Sequence, residues 1–341
     1  MTDIKSMLPD EVGEFVTEKL NLPKFRAAQI TDWLSKGVTS FDEMKNLPKS
    51  VIESLNSICY ISVANIEKKL KSSYDETVKY LFSFEDKECV EAVVMKYKHG
   101  YSMCISTQVG CKMGCTFCAT GLGGFTRQLK PSEMLSQIEA AQKDLGIRIS
   151  NIVLMGMGEP LDNYANVVKF IRLVSNEKGL NIGTRHITLS TCGLVPKIYD
   201  LADEGFGVTL SLSLHAPIDE IRSKTMPVNR KYPIAEAIRA CKYYADKTGR
   251  RITYEYAMIN GVNDTPFCAH SLGQLIKGTL CHVNLIPVNP VKETGYNPSN
   301  DKRIVAFRDI LSKYNVNSTV RRTLGADINA SCGQLRGKNK S

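Results

Sequence analysis

The sequence lacks the features by which secreted and membrane proteins are recognised. None of its apolar runs approaches the ~20 consecutive residues that a membrane-spanning helix needs. Residues 1–15 contain no basic segment followed by an apolar stretch, so they do not resemble a signal peptide. Tryptophan is nearly absent, and we expect the only one, Trp33, in the core rather than in a binding site. We therefore expect a soluble, cytoplasmic protein with no membrane partner.

Cysteine, by contrast, is abundant. The chain contains 11 cysteines, and their spacing does not match the framework of a small disulfide-bonded domain. This pattern favours a reducing compartment in which some thiols are reserved for a metal or for catalysis. Cys332, near the end of the chain, has no other cysteine close to it in sequence. Because free cysteine is among the most buried residue types, both a structural and a chemical role remain open for Cys332 at this point.

The net charge of +9 at pH 7 is unevenly distributed. Residues 1–100 carry 14 Lys and Arg against 16 Asp and Glu, whereas residues 221–254 carry 9 against 2 and residues 301–341 carry 9 against 3. Basic segments of this kind are typical of proteins with a polyanionic partner such as RNA. A solvated, lysine-rich surface would have the same composition, so charge alone leaves both alternatives open.

The first 70 residues form a helical region in this interpretation. Their apolar residues recur at intervals of three and four, as in Ile30, Trp33 and Leu34. The predicted helices cover residues 9–20, 24–37 and 41–57. Two β-rich runs follow and predict a β-hairpin, residues 89–97 and 101–109.

From residue 130 onward, helical and β-rich segments alternate. About six βα units imply a parallel sheet with crossover helices, which forms an incomplete or full barrel. Functional groups of such barrels lie at the C-terminal ends of the strands. Unusual polar residues and glycines occur at those predicted ends: residues 156–160, Ser190, Thr191, residues 213–215, Asn289 and Pro290.

Three cysteines are grouped in the segment GCKMGCTFCATG, in the pattern C-x3-C-x2-C: Cys111, Cys115 and Cys118. Three thiolates at this spacing can converge on one metal centre. A structural zinc site needs four ligands, and Cys104 or a histidine would have to supply the fourth. A four-iron cluster held by three thiolates would leave one iron open for a substrate or cofactor. From the residues alone, both metals remain possible.

The cysteine motif, Phe117 beside its last cysteine, and the strand-end segment MGMGEP at residues 155–160 together resemble the radical S-adenosylmethionine (SAM) superfamily. This resemblance implies a [4Fe–4S] cluster on Cys111, Cys115 and Cys118. It also implies SAM as the second cofactor, bound to the open iron and cleaved on reduction to a 5′-deoxyadenosyl radical.

Five segments narrow the resemblance to the RlmN branch of the RlmN/Cfr family of RNA adenine methyltransferases: CISTQVGC, MGMGEPLDN, SLHAP, HVNLIPVNP and ASCGQL. The resemblance covers nearly the whole chain. It implies an α/β fold, namely a partial (β/α)6-type radical SAM barrel with a small helical N-terminal domain and a β-hairpin linker. The implied division is an RNA-engaging accessory domain at residues 1–70, a β-rich linker at 71–100, and the barrel with a C-terminal catalytic-cysteine segment at 101–341.

The family resemblance also implies how the methyl group is transferred. Carbon 2 of adenine is electron-poor, so its direct attack on a sulfonium methyl is implausible. Cys332 corresponds to the cysteine that takes a methyl group from a first SAM, and a radical made from a second SAM activates that methyl for addition to the ring. Cys104 corresponds to the thiol that breaks the resulting protein–RNA link through a transient disulfide with Cys332, and Glu91 corresponds to the acceptor of the ring proton.

The residues that match SAM contacts in the family are Gly158, Glu159, Ser190, Ser213, Leu214, His215 and Asn289. The implied substrates are 23S rRNA, methylated at an adenine of the peptidyl-transferase centre, and tRNAs with an adenine next to the anticodon. An electron donor such as flavodoxin or ferredoxin and a monomeric state are also implied. Candidate contacts to the RNA backbone are Arg250, Arg251, Arg321, Arg322 and residues 336–340.

Two alternatives remain beside this interpretation. A Cfr-type enzyme would methylate C8 of the same rRNA adenine and confer antibiotic resistance, but we expect alanine in such sequences where Pro160 follows Glu159 here. A non-enzymatic, zinc-binding RNA module would use the three grouped cysteines as zinc ligands and would not cleave SAM.

Overall fold

The computed structural model describes residues 1–337, which form fourteen β-strands and eleven α-helices. The strands are β1 (Thr2–Asp3), β2 (Cys59–Tyr60), β3 (Asn65–Lys71), β4 (Val78–Ser83), β5 (Cys89–Tyr97), β6 (Gly100–Cys104), β7 (Gln108–Gly110), β8 (Phe125–Gln128), β9 (Ile149–Leu154), β10 (Ile187–Thr191), β11 (Thr209–Ser213), β12 (Ile252–Met258), β13 (Cys281–Pro287) and β14 (Ser318–Val320). The helices are α1 (Pro9–Glu18), α2 (Lys24–Ser35), α3 (Lys49–Ile58), α4 (Ala119–Leu122), α5 (Pro131–Leu145), α6 (Tyr164–Val174), α7 (Val195–Asp203), α8 (Asp219–Thr225), α9 (Ile234–Thr248), α10 (Pro266–Ile276) and α11 (Asp301–Lys313).

One ten-stranded sheet organises most of the chain, in the order β14-β13-β12-β11-β10-β9-β6-β5-β4-β3. Seven strands pair side by side in parallel, in the order β6, β9, β10, β11, β12, β13 and β14. The helices that return the chain from one of these strands to the next are α5, α6, α7, α9, α10 and α11. The apolar residues of these strands are buried, including Ile152, Leu189, Leu210 and Val283. Since the strands run in one direction, their C-terminal ends meet at one edge of the sheet.

Three antiparallel strands extend this sheet on the side of β6. The predicted β-hairpin is present, with Tyr97 opposite Gly100 where β5 turns into β6. Its second strand is shorter than predicted, because it ends at Cys104 and residues 108–110 form β7, which pairs with β8 in a separate sheet. Strands β4 and β3 continue the antiparallel ladder beyond β5, and the sequence analysis specified neither of them. Strand β3 reads NIEKKLK and is largely exposed, so it has no apolar run by which it could have been recognised.

The N-terminal helices pack around their own hydrophobic cluster, which runs from Ile4 to Cys59 and has Trp33 at its margin. The third predicted helix is shorter than expected. Residues 41–43 form a turn of 3-10 helix, and α3 begins only after Pro48. The reason is that proline and the residue before it both resist a helical path, so the helix begins after the proline. The division of the chain at residues 70 and 100 stays a prediction.

Within residues 1–337, no helix combines the length and the apolar character that crossing a membrane would require.

Replacing Leu210 by Ala should destabilise the fold. Leu210 lies on the central strand β11 and is fully buried, so its loss leaves a cavity that costs about 2–5 kcal/mol of unfolding free energy. Urea denaturation followed by circular dichroism measures this change. The control is Leu280→Ala, since Leu280 is 58% exposed and its truncation should stay within about 0.5 kcal/mol of the wild type. Equal midpoints for both variants would contradict the assignment of the core.

Candidate active site

A cavity opens where the parallel strands end, as expected for functional groups in a barrel of this kind. Its volume is about 980 Å³, open mouth included. It brings together ten of the thirteen site residues expected from the sequence: Cys111, Cys115, Cys118, Gly158, Glu159, Ser190, Ser213, His215, Asn289 and Cys332. Leu214, Cys104 and Glu91 do not line this cavity.

The three grouped cysteines lie on a loop that strands β7 and β8 close at its base. Gly110 pairs with Phe125 there, and its φ of +76° together with the close approach of the Gly124 carbonyl leaves no room for a Cβ. Burial raises the pKa of the Cys111 thiol to about 11, and burial also raises the pKa of Cys115. Within residues 1–337, no three His, Cys, Asp or Glu side chains are grouped closely enough to hold a single metal ion.

The donor set of this loop suits an iron–sulfur cluster. Cysteine thiolates are the usual ligands of such clusters, and binding metal supplies the free energy that deprotonates them. All three side chains border the same cavity, which continues past them toward Ser190 and Ser213. Space for a second cofactor therefore adjoins the thiols.

The MGMGEP segment is fixed against strand β7. Gly158 has φ +104°, and a Cβ at this position would stand 2.5 Å from the Cβ of Gln108. The Gln108 Oε1 accepts a hydrogen bond from the Glu159 N–H at 2.8 Å. Only glycine fits this close approach, so Gly158 determines where Glu159 enters the cavity.

Glu159 is a buried carboxylate held by main-chain donors. Its Oε1 accepts from the Leu161 N–H at 3.0 Å, and its Oε2 accepts from the Cys192 N–H at 2.8 Å. Burial raises the pKa of Glu159, and these hydrogen bonds act in the opposite direction. The carboxylate is therefore oriented before any ligand binds.

His215 is neutral and its tautomer is fixed. Its Nδ1 accepts a hydrogen bond from the Ala257 N–H at 2.9 Å, which leaves the proton on Nε2. Burial lowers the pKa of His215 to about 3. The ring meets the edge of Phe117 at 5.0 Å between centroids, so it connects the cysteine loop to the end of β11. Nearby, the hydroxyls of Ser190 and Ser213 are 3.3 Å apart.

Leu214 differs from its neighbours because its side chain is fully buried in the hydrophobic core. Its N–H donates to the Glu255 carbonyl, and its own carbonyl accepts from the Arg222 guanidinium. A side-chain contact between Leu214 and a cofactor in the cavity is therefore not available in this arrangement.

A second cavity lies beside the first, and Cys332 borders both. Cys104 lines the second cavity, as do Tyr97 and Arg322, and Arg321 lines both. Burial and, to a smaller extent, the nearby Cys332 raise the pKa of Cys104 to about 12, and Arg321 acts in the opposite direction. Both Cys104 and Cys332 are free thiols in this structure, and the transient disulfide between them stays a prediction.

The segment that carries Cys332 is held by residues of the cysteine loop and by Asn289, which follows β13. The Gly333 carbonyl accepts from the Ala119 N–H at 2.8 Å, and the Leu335 carbonyl accepts from the Thr120 hydroxyl at 2.7 Å. The Asn289 side chain, expected to contact SAM, donates to the Cys332 carbonyl at 3.0 Å. Because Ala119 directly follows Cys118, the cysteine loop and the Cys332 segment are in direct contact.

Glu91 contacts the same C-terminal segment from the other side. Its carboxylate pairs with Lys79 at 3.0 Å and accepts from the Arg336 N–H at 2.6 Å. The Lys79 ammonium also donates to the Asn329 carbonyl at 3.2 Å. Glu91 is buried but borders neither cavity, so its expected role as proton acceptor stays a prediction.

One charged residue of the first cavity was not expected from the sequence, and the expected basic residues do not all lie near the site. Glu255 lines the first cavity, 3.9 Å from Arg321, and an acidic residue inside the apolar strand RITYEYAMI was its only signal. Arg321 borders both cavities, whereas Arg250 and Arg251 precede β12 and thus lie at the opposite end of the strands. Arg336 pairs with Glu293 at 2.8 Å, and residues 338–340 lie outside the described part of the chain.

Comparison with protein-family models places this fold and site in a known class. The radical SAM superfamily model matches residues 105–270, which contain the cysteine loop and most of the parallel strands. The model of the ribosomal RNA large subunit methyltransferase N-terminal domain matches residues 2–61. The protein is thus a radical SAM protein of the predicted α/β class, and this class uses a [4Fe–4S] cluster and SAM.

Curated relatives narrow the class. A probable dual-specificity RNA methyltransferase RlmN of Clostridium acetobutylicum is 57% identical over 92% of this chain and 90% of its own length. The protein of the same name from Alkaliphilus oremlandii is 55% identical over 99% of this chain and 98% of its own length. The chain belongs to the RlmN family of radical SAM methyltransferases. A crystal structure of a radical SAM methyltransferase from Sphaerobacter thermophilus, 41% identical, superposes with a TM-score of 0.94 over 99% of this chain and 100% of its own.

Replacing Gly158 by Ala should weaken SAM binding and destabilise the protein. The added Cβ would collide with Gln108 at a positive φ, which costs about 1–3 kcal/mol and displaces Glu159. Denaturation midpoints and equilibrium dialysis with labelled SAM measure the two effects. Gly13→Ala is the matched control, since a Cβ there meets nothing within 4 Å. A Gly158→Ala protein with wild-type stability and SAM affinity would show that the close approach has no role.

Proposed function

We propose that this protein methylates C2 of an adenine in the peptidyl-transferase centre of 23S rRNA, and of an adenine next to the anticodon in tRNAs, with Cys332 as the methyl carrier. The position of Cys332 carries this proposal, because Cys332 borders both the cavity of the grouped cysteines and the cavity of Cys104. The names of the relatives support an RNA substrate and dual specificity.

The first cavity has the residues that two cofactors require. Cys111, Cys115 and Cys118 would hold the [4Fe–4S] cluster. The SAM molecule would be bound by Gly158, Glu159, Ser190, Ser213, His215 and Asn289. Leu214 would contribute through its main-chain atoms, because its side chain is buried in the core. When bound, the cluster supplies the electron that cleaves SAM to a carbon radical. The chain itself orients the Glu159 carboxylate and keeps His215 uncharged through the bonds described above.

The second cavity is where we place the target base. An adenine ring edge is reached only when the base leaves its stack, and it then needs a pocket. Arg321 and Arg322 supply positive charge there, and Tyr97 supplies an aromatic surface. A base in this cavity would contact Cys332 on one side and Cys104 on another. That arrangement fits a thiol that carries the methyl group and a second thiol that releases the product through a transient disulfide.

Other aspects of the proposal follow from the family. Two SAM molecules are consumed per turnover, since one supplies the methyl group and one the radical. Glu91 accepts the ring proton after its carboxylate has been released by the C-terminal segment, whose Arg336 N–H donates to it. The electron comes from a small donor protein such as flavodoxin or ferredoxin, and the enzyme is a cytoplasmic monomer.

The two thiols should give different phenotypes when each is replaced by alanine. Cys332→Ala should retain the cluster and transfer no methyl group, because the carrier is missing. Cys104→Ala should accumulate a covalent protein–RNA adduct, because the second thiol cannot release the product. Denaturing gels of protein purified from cells, with RNase treatment, detect the adduct. Cys281→Ala, which removes a thiol outside both cavities, should behave as the wild type. Methyl transfer by Cys332→Ala would disprove the carrier role.

The methyl group should be found on C2 of adenine. Mass spectrometry of nucleosides from 23S rRNA and tRNA, after incubation with the purified enzyme, distinguishes 2-methyladenosine from 8-methyladenosine. RNA taken from a strain without its own methyltransferase provides the unmodified substrate, and Cys332→Ala provides the inactive control. An 8-methyl product would assign the protein to Cfr-type chemistry instead.

A further inference from the structure

Arg222 on helix α8 is a fully buried cation behind the wall of the first cavity. Within residues 1–337, no carboxylate lies within 4 Å of its guanidinium. Asp219, a carboxylate on the same helix whose charge acts on Arg222, uses its Oδ1 to accept from Asn229 and from the Ile234 N–H. Burying a charge without an ionic partner is costly. Such a cost suggests that the charge is kept for an anion that the chain itself does not supply.

The guanidinium joins the ends of two neighbouring parallel strands. Its Nη2 donates to the Cys192 carbonyl at 2.7 Å, just beyond β10, and to the Ser213 carbonyl at 3.0 Å, at the end of β11. Its Nε donates to the Leu214 carbonyl at 2.9 Å. Its Nη1 donates to the Asn229 Oδ1 at 2.8 Å, which fixes the plane of the guanidinium. These strand ends carry Ser190 and Ser213, two of the proposed SAM contacts.

The main chain of Cys192 lies between two buried charges. Its N–H donates to the Glu159 carboxylate, and its carbonyl accepts from Arg222. The loop after β10 is therefore held from both sides. A displacement of Arg222 would shift this loop relative to Glu159, with no direct contact between Arg222 and the cavity.

Helix α8, which carries Arg222, also contacts the cysteine loop. The carbonyl of Thr225, its last residue, accepts a hydrogen bond from the Thr116 N–H at 2.9 Å, and Thr116 directly follows Cys115. Three thiolates and the carboxylate of SAM would bring several negative charges to this side of the cavity. The helix of the buried cation is therefore bonded directly to the loop that would hold them.

We infer that Arg222 is a positioning residue for SAM and the buried counter-charge of the three-cysteine cluster site. Its hydrogen bonds hold the ends of β10 and β11 at the spacing that SAM requires. Its charge favours the more negative, reduced state of the cluster, since net charge near an iron–sulfur cluster sets its reduction potential. This inference rests on the proposed function, because it assumes that both cofactors bind.

The test compares Arg222→Met and Arg222→Lys with the wild type, each reconstituted anaerobically with iron and sulfide. Redox titration followed by electron paramagnetic resonance gives the midpoint potential, and equilibrium dialysis gives the SAM dissociation constant. Arg222→Met should have a more negative potential and about 10–100-fold weaker SAM binding. Arg222→Lys should keep a near-wild-type potential, but it should bind SAM more weakly because an ammonium cannot reproduce the planar fork.

Arg172→Met is the matched control, since Arg172 pairs with Glu204 at 2.8 Å on the outer helices and should change neither quantity. Wild-type potential and SAM affinity in Arg222→Met would overturn the inference. If Arg222→Met does not fold, wild-type SAM affinity in Arg222→Lys would overturn it. If the wild type binds iron and SAM and Arg222→Met has the same potential and SAM affinity, only this inference is refuted. If the wild type binds neither iron nor SAM, the proposed function is refuted as well.

Discussion

The contact between the cysteine loop and the C-terminal segment determines what this site can be. Two hydrogen bonds carry it, from Ala119 to the Gly333 carbonyl and from Thr120 to the Leu335 carbonyl. Together with the bond from Asn289 to the Cys332 carbonyl, they fix the position of Cys332 relative to the barrel. Cys332 therefore lies between two cavities. The C-terminal ends of the parallel strands, the cysteine loop and the Gly158 turn all border the same small region. The proposed chemistry depends on this proximity.

The site also shows how polar groups are prepared before ligands arrive. Glu159 is held by two main-chain N–H groups, and His215 is fixed in one neutral tautomer by a third. Arg222 is satisfied by carbonyls at the ends of two strands. Each of these groups is costly to bury, and each has hydrogen-bond partners in the main chain. Little reorganisation is then needed when a charged cofactor binds.

Sequence reasoning predicted the parts of the molecule that local patterns determine. The alternation of helices and strands after residue 130 and the spacing of the three cysteines were sufficient for the parallel sheet and for the loop at its end. Family resemblance was needed for Cys332, since a lone thiol has no local signature. Arg222 and Glu255 were missed because their importance arises from contacts between distant segments. The helix predicted over residues 41–57 was too long because Pro48 interrupts it. Strand β3 was missed because it has only two isolated apolar residues and no apolar run.

Strand β3 also influences how readily another chain can add to the sheet. It is one edge of an open, ten-stranded sheet, and such an edge presents unpaired main-chain groups to which another chain can add. Its exposed lysines, Lys68, Lys69 and Lys71, resist that addition because an incoming strand would have to desolvate or repel their charges. The opposite edge, β14, is only three residues long. Both edges are thus poor templates for the addition of a strand from another chain.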